Sequence, residues 1–149
     1  MTTTPNPSTP NVRVGTAVIL QRNGRILLGE RLSPHGDHTW SFPGGHLEFG
    51  ESWEECVRRE AMEETGMNIH DIRFITVTND IFTETNKHYI TLYMTASFDG
   101  EPQITEPEKW STWQWFDVNN LPTPLFLPIQ NLLKQQPDLW QKVIQKNNG

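Results

Sequence analysis

The spacing of apolar and polar positions changes several times along the chain, and each change marks an element. Val12 to Leu20 is apolar and β-branched and predicts a strand. Asn23-Gly24 is a two-residue hairpin signal, and Arg25 to Gly29 continues as a second strand. Leu32 to Thr39 reads as a loop. Trp40 to Phe42 is short and extended, and Pro43-Gly44-Gly45 is expected to break it. Ser52 opens a helix, because Ser52-x-x-Glu55 has the form of a capping box, in which each side chain satisfies a free backbone N–H of the first turn. That helix runs to about Glu64, and Gly66 stops it. Ile72 to Ile81 and His88 to Phe98 are β-rich and flank the polar stretch Thr83 to Lys87. Glu101 to Lys109 is a Pro/Glu loop, Trp113 to Phe116 a short strand, and Pro128 to Gln145 a C-terminal helix that Pro137 interrupts. Strands before and after a central helix, with a second helix closing the chain, predict a mixed α/β layering around one sheet.

Composition narrows the picture. At 149 residues the chain has the usual size of one domain with one core. Its domain is read as residues 12–147, after a Thr/Pro/Asn-rich tail over 1–11 that is expected to be disordered and lacks the basic-then-apolar pattern of a signal peptide. Six tryptophans supply material for a core. A formal net charge of −6 argues against a nucleic-acid polymer or an anionic membrane as partner, but not against a small anion whose charge a bound metal offsets. The single cysteine, Cys56, excludes an internal disulfide and fits a reducing cytoplasm. No apolar run approaches the roughly 18 residues of a membrane span.

The candidate chemistry lies between Gly45 and Met67. Gly45 is followed by Glu51, then Arg59-Glu60, Glu63-Glu64 and Gly66-Met67. On a helix, at about 100° per residue, Glu60, Glu63 and Glu64 share an arc with Trp53, Cys56 and Val57. The carboxylates are therefore expected on the side that faces the protein. Like charges three and four residues apart repel, and partly buried carboxylates need protons or a cation. A hard divalent ion such as Mg²⁺ is the natural remedy, since it takes one or two carboxylates, waters and substrate phosphates. Seven fixed residues at fixed spacing arise by chance in such a chain on the order of once in a million.

The run Gly45-x5-Glu51-x7-Arg59-Glu60-Ala61-x-Glu63-Glu64-x-Gly66-Met67 resembles the Nudix box. Ala61 stands where that family usually has a bulky aliphatic residue, a departure that touches packing more than chemistry. The resemblance implies an α/β/α sandwich and a Mg²⁺-dependent (or Mn²⁺-dependent) hydrolase of nucleoside diphosphate linkages. Pro43 to Cys56, His88-Tyr89-Ile90-Thr91, Glu106-Pro107-Glu108-Lys109 and Trp113-x-Trp115 are further similar to Nudix nucleoside triphosphate diphosphatases that act on thioguanine nucleotides. This likeness fades after Leu121-Pro122. It implies metal ligation by Glu60, Glu64, Glu63 and the carbonyl of Gly44 or Gly45, with Arg59 pairing to Glu51. Glu106 and Glu108 lie in a loop expected to reach the metal from the far side, with Glu108 counted among the catalytic residues. Phe42, Gly44, Gly45, His46 and Thr91 are the expected substrate contacts. The tryptophans near 110–115 read as core or a subunit contact, and the resembled subfamily implies a homodimer. The expected reaction is hydrolysis of a nucleoside triphosphate to the monophosphate and pyrophosphate. The alternatives are a nucleotide-sugar pyrophosphatase and, in another class, a non-catalytic nucleotide-binding module.

Overall fold

The computed structural model describes residues 11–144. The first hairpin forms as its signal predicts. Strand β1 (Val12–Ile19) leads through β2 (Gln21–Arg22) into β3 (Arg25–Arg31), and the turn places Asn23 and Gly24 at positive φ, 52° and 79°. Two more short strands, β4 (Trp40–Ser41) and β5 (Gly44–His46), precede helix α1 (Trp53–Thr65). Long strands β6 (Asn68–Phe82) and β7 (Lys87–Asp99) follow, then β8 (Trp110–Asp117), α2 (Leu127–Gln135) and α3 (Leu139–Ile144). The expected tail lies outside the described residues apart from Asn11, which is exposed, as does the expected end of the last helix at Gln145.

Two expectations are corrected. The strands form two sheets, not one: β5-β1-β7-β6, in which β1 and β7 run parallel, and β2-β3-β4 with β8 also paired to β3. The extended stretch at Trp40 does break, with a bend at Pro43, but Gly44 and Gly45 do not stay out of the sheets: Gly44 to His46 form a new strand paired antiparallel with Gly15 to Ala17 in the other sheet. Glycine makes this pairing possible, since a Cβ on Gly44 would overlap the Thr16 carbonyl.

Two apolar layers hold the sheets. Ala17, Ile19, Ile26, Leu28 and Tyr93 face Ile129 and Leu132 of α2 and Leu139 and Val143 of α3. Their neighbours Val18, Leu20, Leu27 and Met94 face Val57 and Ala61 of α1. Successive strand side chains point to opposite faces, so strands covered on both faces read as unbroken apolar runs. This is an α/β/α sandwich, and Ala61 is the small residue that lets α1 lie against it, being fully buried. Trp110 and Trp113 are buried in the α1-side layer, so they serve this chain's own core and leave no face for a subunit contact.

Candidate active site

Helix α1 begins as its sequence directs. Ser52 Oγ accepts from the Glu55 N–H at 3.1 Å, Glu55 Oε1 accepts from the Ser52 N–H at 2.8 Å, and Gly66 closes the helix at φ 73°. The helix thereby presents Glu60 and Glu64 to the loop and strand of Gly44–His46. Glu64 is buried, and its Oε1 accepts from the Gly44 N–H at 2.8 Å. Its own carbonyl is held by the Trp113 indole N–H at 3.0 Å. Glu60 lies against Gly45 so closely that a Cβ there would sit 2.5 and 2.7 Å from the two carboxylate oxygens. The Gly45 carbonyl accepts from Thr16 Oγ1 at 3.1 Å, which fixes its direction.

Arg59 braces this arrangement. Its guanidinium donates to both oxygens of Glu51 at 2.7 and 3.0 Å, to Glu60 Oε1 at 2.8 Å and to the His46 carbonyl at 3.3 Å. The hydrogen bonds to Glu51 hold Arg59 above its ordinary pKa, and the same bonds hold Glu51 down at about 2. The predicted Arg59–Glu51 pair is therefore present and bidentate.

Burial pushes Glu64 well above the ordinary carboxylate range, and the neighbouring Glu60 and Glu106 charges push it further. Burial raises Glu60 as well, against the pull of Arg59. These groups suffer from one another's charge, and a cation between them would relieve it. Among the described residues no three acidic, histidine or cysteine side chains already converge at metal-ligand distances. Two carboxylates, a fixed carbonyl, water and phosphate oxygens are nevertheless the set a hard divalent ion takes. The Gly45–Glu60 cradle and the all-oxygen donor set fit such an ion.

Two expectations about the acidic residues change. Glu63 does not face the protein: its side chain is half exposed and 3.6 Å from Arg59. Trp53 on the same arc is also exposed, whereas Cys56 and Val57 are buried. The loop after β7 is tied to the end of α1 by Gln103 N–H to Thr65 O at 2.8 Å. It sends Glu106, not Glu108, toward the carboxylates. Glu106 is the one whose charge acts on Glu60 and Glu64, and it pairs with Lys109 at 3.4 Å, while Glu108 is exposed.

Gly44, Gly45, His46, Glu48, Glu60 and Glu64 line one side of a cleft of about 370 Å³. The other side was not anticipated from sequence. It carries Arg31, Ser33, His35, Phe82, Tyr89, Lys109, Trp110 and Phe126. Arg31 has no ion-pair partner among the described residues. It donates to the His35 carbonyl at 3.1 Å and to Ser33 Oγ at 3.3 Å, and lies 4.1 Å over the Phe126 ring. Desolvation lowers its pKa while the Glu64 charge partly offsets this. Such a guanidinium is set to meet an anion. Tyr89 stacks on His46 (centroids 5.4 Å, planes 5° apart) and on His35 (5.5 Å, 28°), and its hydroxyl lies 2.9 Å from His46 Nε2. Burial lowers the pKa of both histidines, His35 to about 4, so both are neutral at pH 7. Among the described residues, His35 Nδ1 and the Trp110 indole N–H are buried without hydrogen-bond partners.

Of the expected substrate contacts, Gly44, Gly45 and His46 line the cleft. Phe42 reaches it too, but is otherwise core, edge-on to Tyr93. Thr91 is buried beside the cleft and does not line it.

Residues 9–136 match the NUDIX domain, and the chain belongs to that family. It is a hydrolase acting on the pyrophosphate bonds of nucleotide-type substrates, in a family that generally uses divalent metal ions. The crystal structure of a MutT NUDIX hydrolase from Burkholderia pseudomallei superposes with a TM-score of 0.79 at 32% identity, covering 84% of this chain and 98% of that one. The oxidized purine nucleoside triphosphate hydrolase of Danio rerio is 29% identical over 108 residues, 72% of this chain and 67% of that protein. An RNA pyrophosphohydrolase of Erwinia tasmaniensis is 24% identical over 155 aligned positions, 92% of this chain and 81% of that protein. No helix among the described residues is long and apolar enough to cross a membrane.

Proposed function

We propose that this chain hydrolyses nucleoside triphosphates to the monophosphate and pyrophosphate with Mg²⁺. The observation that carries the reading is one cleft with an acidic side, Glu60 and Glu64, facing a basic and aromatic side, Arg31 and Lys109 with Tyr89 and Phe126. The similarity to the Danio rerio enzyme supports a triphosphate substrate. Glu60, Glu64 and the Gly45 carbonyl would hold the ion, with Glu63 a further candidate ligand. A divalent ion there supplies charge neutralisation on the phosphate oxygens and lowers the pKa of the attacking water. Arg31 and Lys109 bind the phosphates and fix their orientation, while Gly44 and Gly45 let the chain backbone approach closely. Glu106, whose charge reaches Glu60 and Glu64 from the loop before β8, is the candidate to accept the water's proton. Arg59 positions Glu60 by holding one of its oxygens.

A panel of nucleoside triphosphates, nucleotide sugars and 5′-triphosphate RNA, compared by kcat/KM, tests the reading. The highest value is expected for free triphosphates. A nucleotide sugar or 5′-triphosphate RNA turned over faster by an order of magnitude would overturn it. The proposed assembly is a homodimer whose contact lies away from Trp110 and Trp113. Light scattering that gives one 17.2 kDa chain at micromolar concentration counts against it.

A further inference from the structure

Beneath the cleft floor lies a polar knot that the hydrolytic chemistry does not use. Asp80 on β6 is 0% exposed. Its Oδ2 accepts from Thr78 Oγ1 at 2.8 Å and from Thr91 Oγ1 at 2.6 Å. Its Oδ1 accepts from Asn131 Nδ2 of α2 at 2.8 Å. Three donors from three elements converge on one carboxylate.

The consequence concerns Thr91. A threonine hydroxyl carries one proton and two lone pairs. The Thr91 proton is committed to Asp80, so the hydroxyl can only accept from anything else. Thr91 stands opposite Gly15 in the parallel β1–β7 pairing, and Gly15 lines the cleft. A Cβ on Gly15 would sit 3.9 Å from Thr91 Oγ1 and 3.7 Å from Tyr89. The bare glycine therefore leaves a window between the cleft and the Thr91 oxygen.

We propose that Asp80 sets the hydrogen-bond polarity of Thr91, so that the cleft floor offers the substrate's base an acceptor and no donor. Asp80 is thus a positioning residue for base selection, and the inference rests on the nucleotide reading above. Asp80→Asn reverses the knot without emptying it. An amide nitrogen in place of Oδ2 donates to both Thr78 and Thr91, and the amide oxygen still accepts from Asn131. The Thr91 proton is then free to donate through the window. Thr91→Val removes the group altogether, and Thr91→Ser keeps it.

The test measures kcat/KM for ATP against ITP and for CTP against UTP, pairs that exchange an amino donor for an oxo acceptor, at fixed Mg²⁺. In at least one pair, Thr91→Val is expected to move the wild-type ratio toward one by about three- to thirty-fold, the range of one hydrogen bond. Asp80→Asn is expected to move it the same way and further, past one, while Thr91→Ser keeps the wild-type ratio. The Mg²⁺ concentration dependence is expected to stay unchanged in all three. An active Asp80→Asn enzyme with both ratios within twofold of wild type overturns the inference and leaves the nucleotide reading standing. If Asp80→Asn does not fold, ratios within twofold of wild type in Thr91→Val overturn it instead. A wild-type protein without Mg²⁺-dependent turnover of any nucleotide overturns the reading and the inference with it.

Discussion

The two sides of the cleft are built by opposite routes. The acidic side comes from one continuous segment, Gly44 to Glu64, in which a capping box sets the helix and Arg59 ties its carboxylates to Glu51. The basic and aromatic side is assembled from β3 (Arg31), the loop after it (Ser33, His35), β6 (Phe82), β7 (Tyr89) and the residue before α2 (Phe126). A locally specified side can keep its chemistry while the other is rebuilt by distant substitutions. The metal function and the choice of substrate are therefore separable, and changes on the two sides should act differently.

The largest expected difference is in turnover. Glu64→Gln is expected to lower kcat about a thousandfold with the fold intact, because a ligand is lost from the charge that stabilises the transition state. Circular dichroism and steady-state kinetics check both halves. On the opposite side Arg31→Ala is expected to cost roughly thirtyfold in kcat/KM through loss of a charge-assisted contact to phosphate, with the Mg²⁺ dependence retained. A shift in Mg²⁺ affinity in that variant would mean that the two sides are not separable.

Stability should also divide them. Glu64 has a raised folded-state pKa, so its favourable contribution is present at acid pH and lost as pH rises through that raised value. Without metal the buried carboxylate is a cost near neutral pH, either as an uncompensated charge or through the proton it must take up. Glu64→Gln is accordingly expected to raise the metal-free melting temperature by about 2–4 °C, the shift of roughly 1 kcal/mol in a chain of this size. Added Mg²⁺ should raise the wild-type melting temperature and hardly move the variant's, by binding only the folded state. Glu60→Gln is a poorer probe, since it also removes the 2.8 Å bond from Arg59. A destabilised metal-free Glu64→Gln would show that the carboxylate serves the Gly44 bond more than a cation.

The smallest effect is at Glu51. Its folded pKa lies near 2, below the ordinary 4.5, so its stabilisation is present above 4.5 and lost as pH falls from 4.5 to 2. Glu51→Gln should flatten the acid limb of the stability profile in that window. Scanning calorimetry from pH 6 to pH 2 checks it, and an unchanged limb would remove the Arg59–Glu51 pair from the account.

The same contrast explains what could be read from the chain. The helix, its cap at Ser52, its stop at Gly66 and the pair of Arg59 with Glu51 are all fixed by residues within eight positions of one another. Helical periodicity reports such neighbours directly. It did not report that the arc turns Glu63 and Trp53 to solvent, because that depends on how α1 lies on β5 and β6. Gly44 looked like a strand breaker and instead permits a strand, since its partner Ala17 lies far back along the chain. Arg31 falls between the strand predicted to end at Gly29 and the loop from Leu32, and nothing in its neighbourhood announces the Phe126 ring beneath it. The choice of Glu106 over Glu108 is set by the Gln103–Thr65 bond, which no spacing rule contains. Thr91 was legible as a candidate, but the direction of its hydrogen bond was not, because Asp80 is eleven residues away across a hairpin.

In the proposed reaction the acidic side works on a triphosphate held by the basic side. The most direct measurement is identification of the phosphorus products from a nucleoside triphosphate by ³¹P magnetic resonance, with Mg²⁺ and with a chelator, for wild type and Glu64→Gln. Monophosphate and pyrophosphate are expected from the wild type with Mg²⁺, and almost nothing with the chelator or from Glu64→Gln. Orthophosphate and diphosphate as products, or equal turnover by Glu64→Gln, would contradict it.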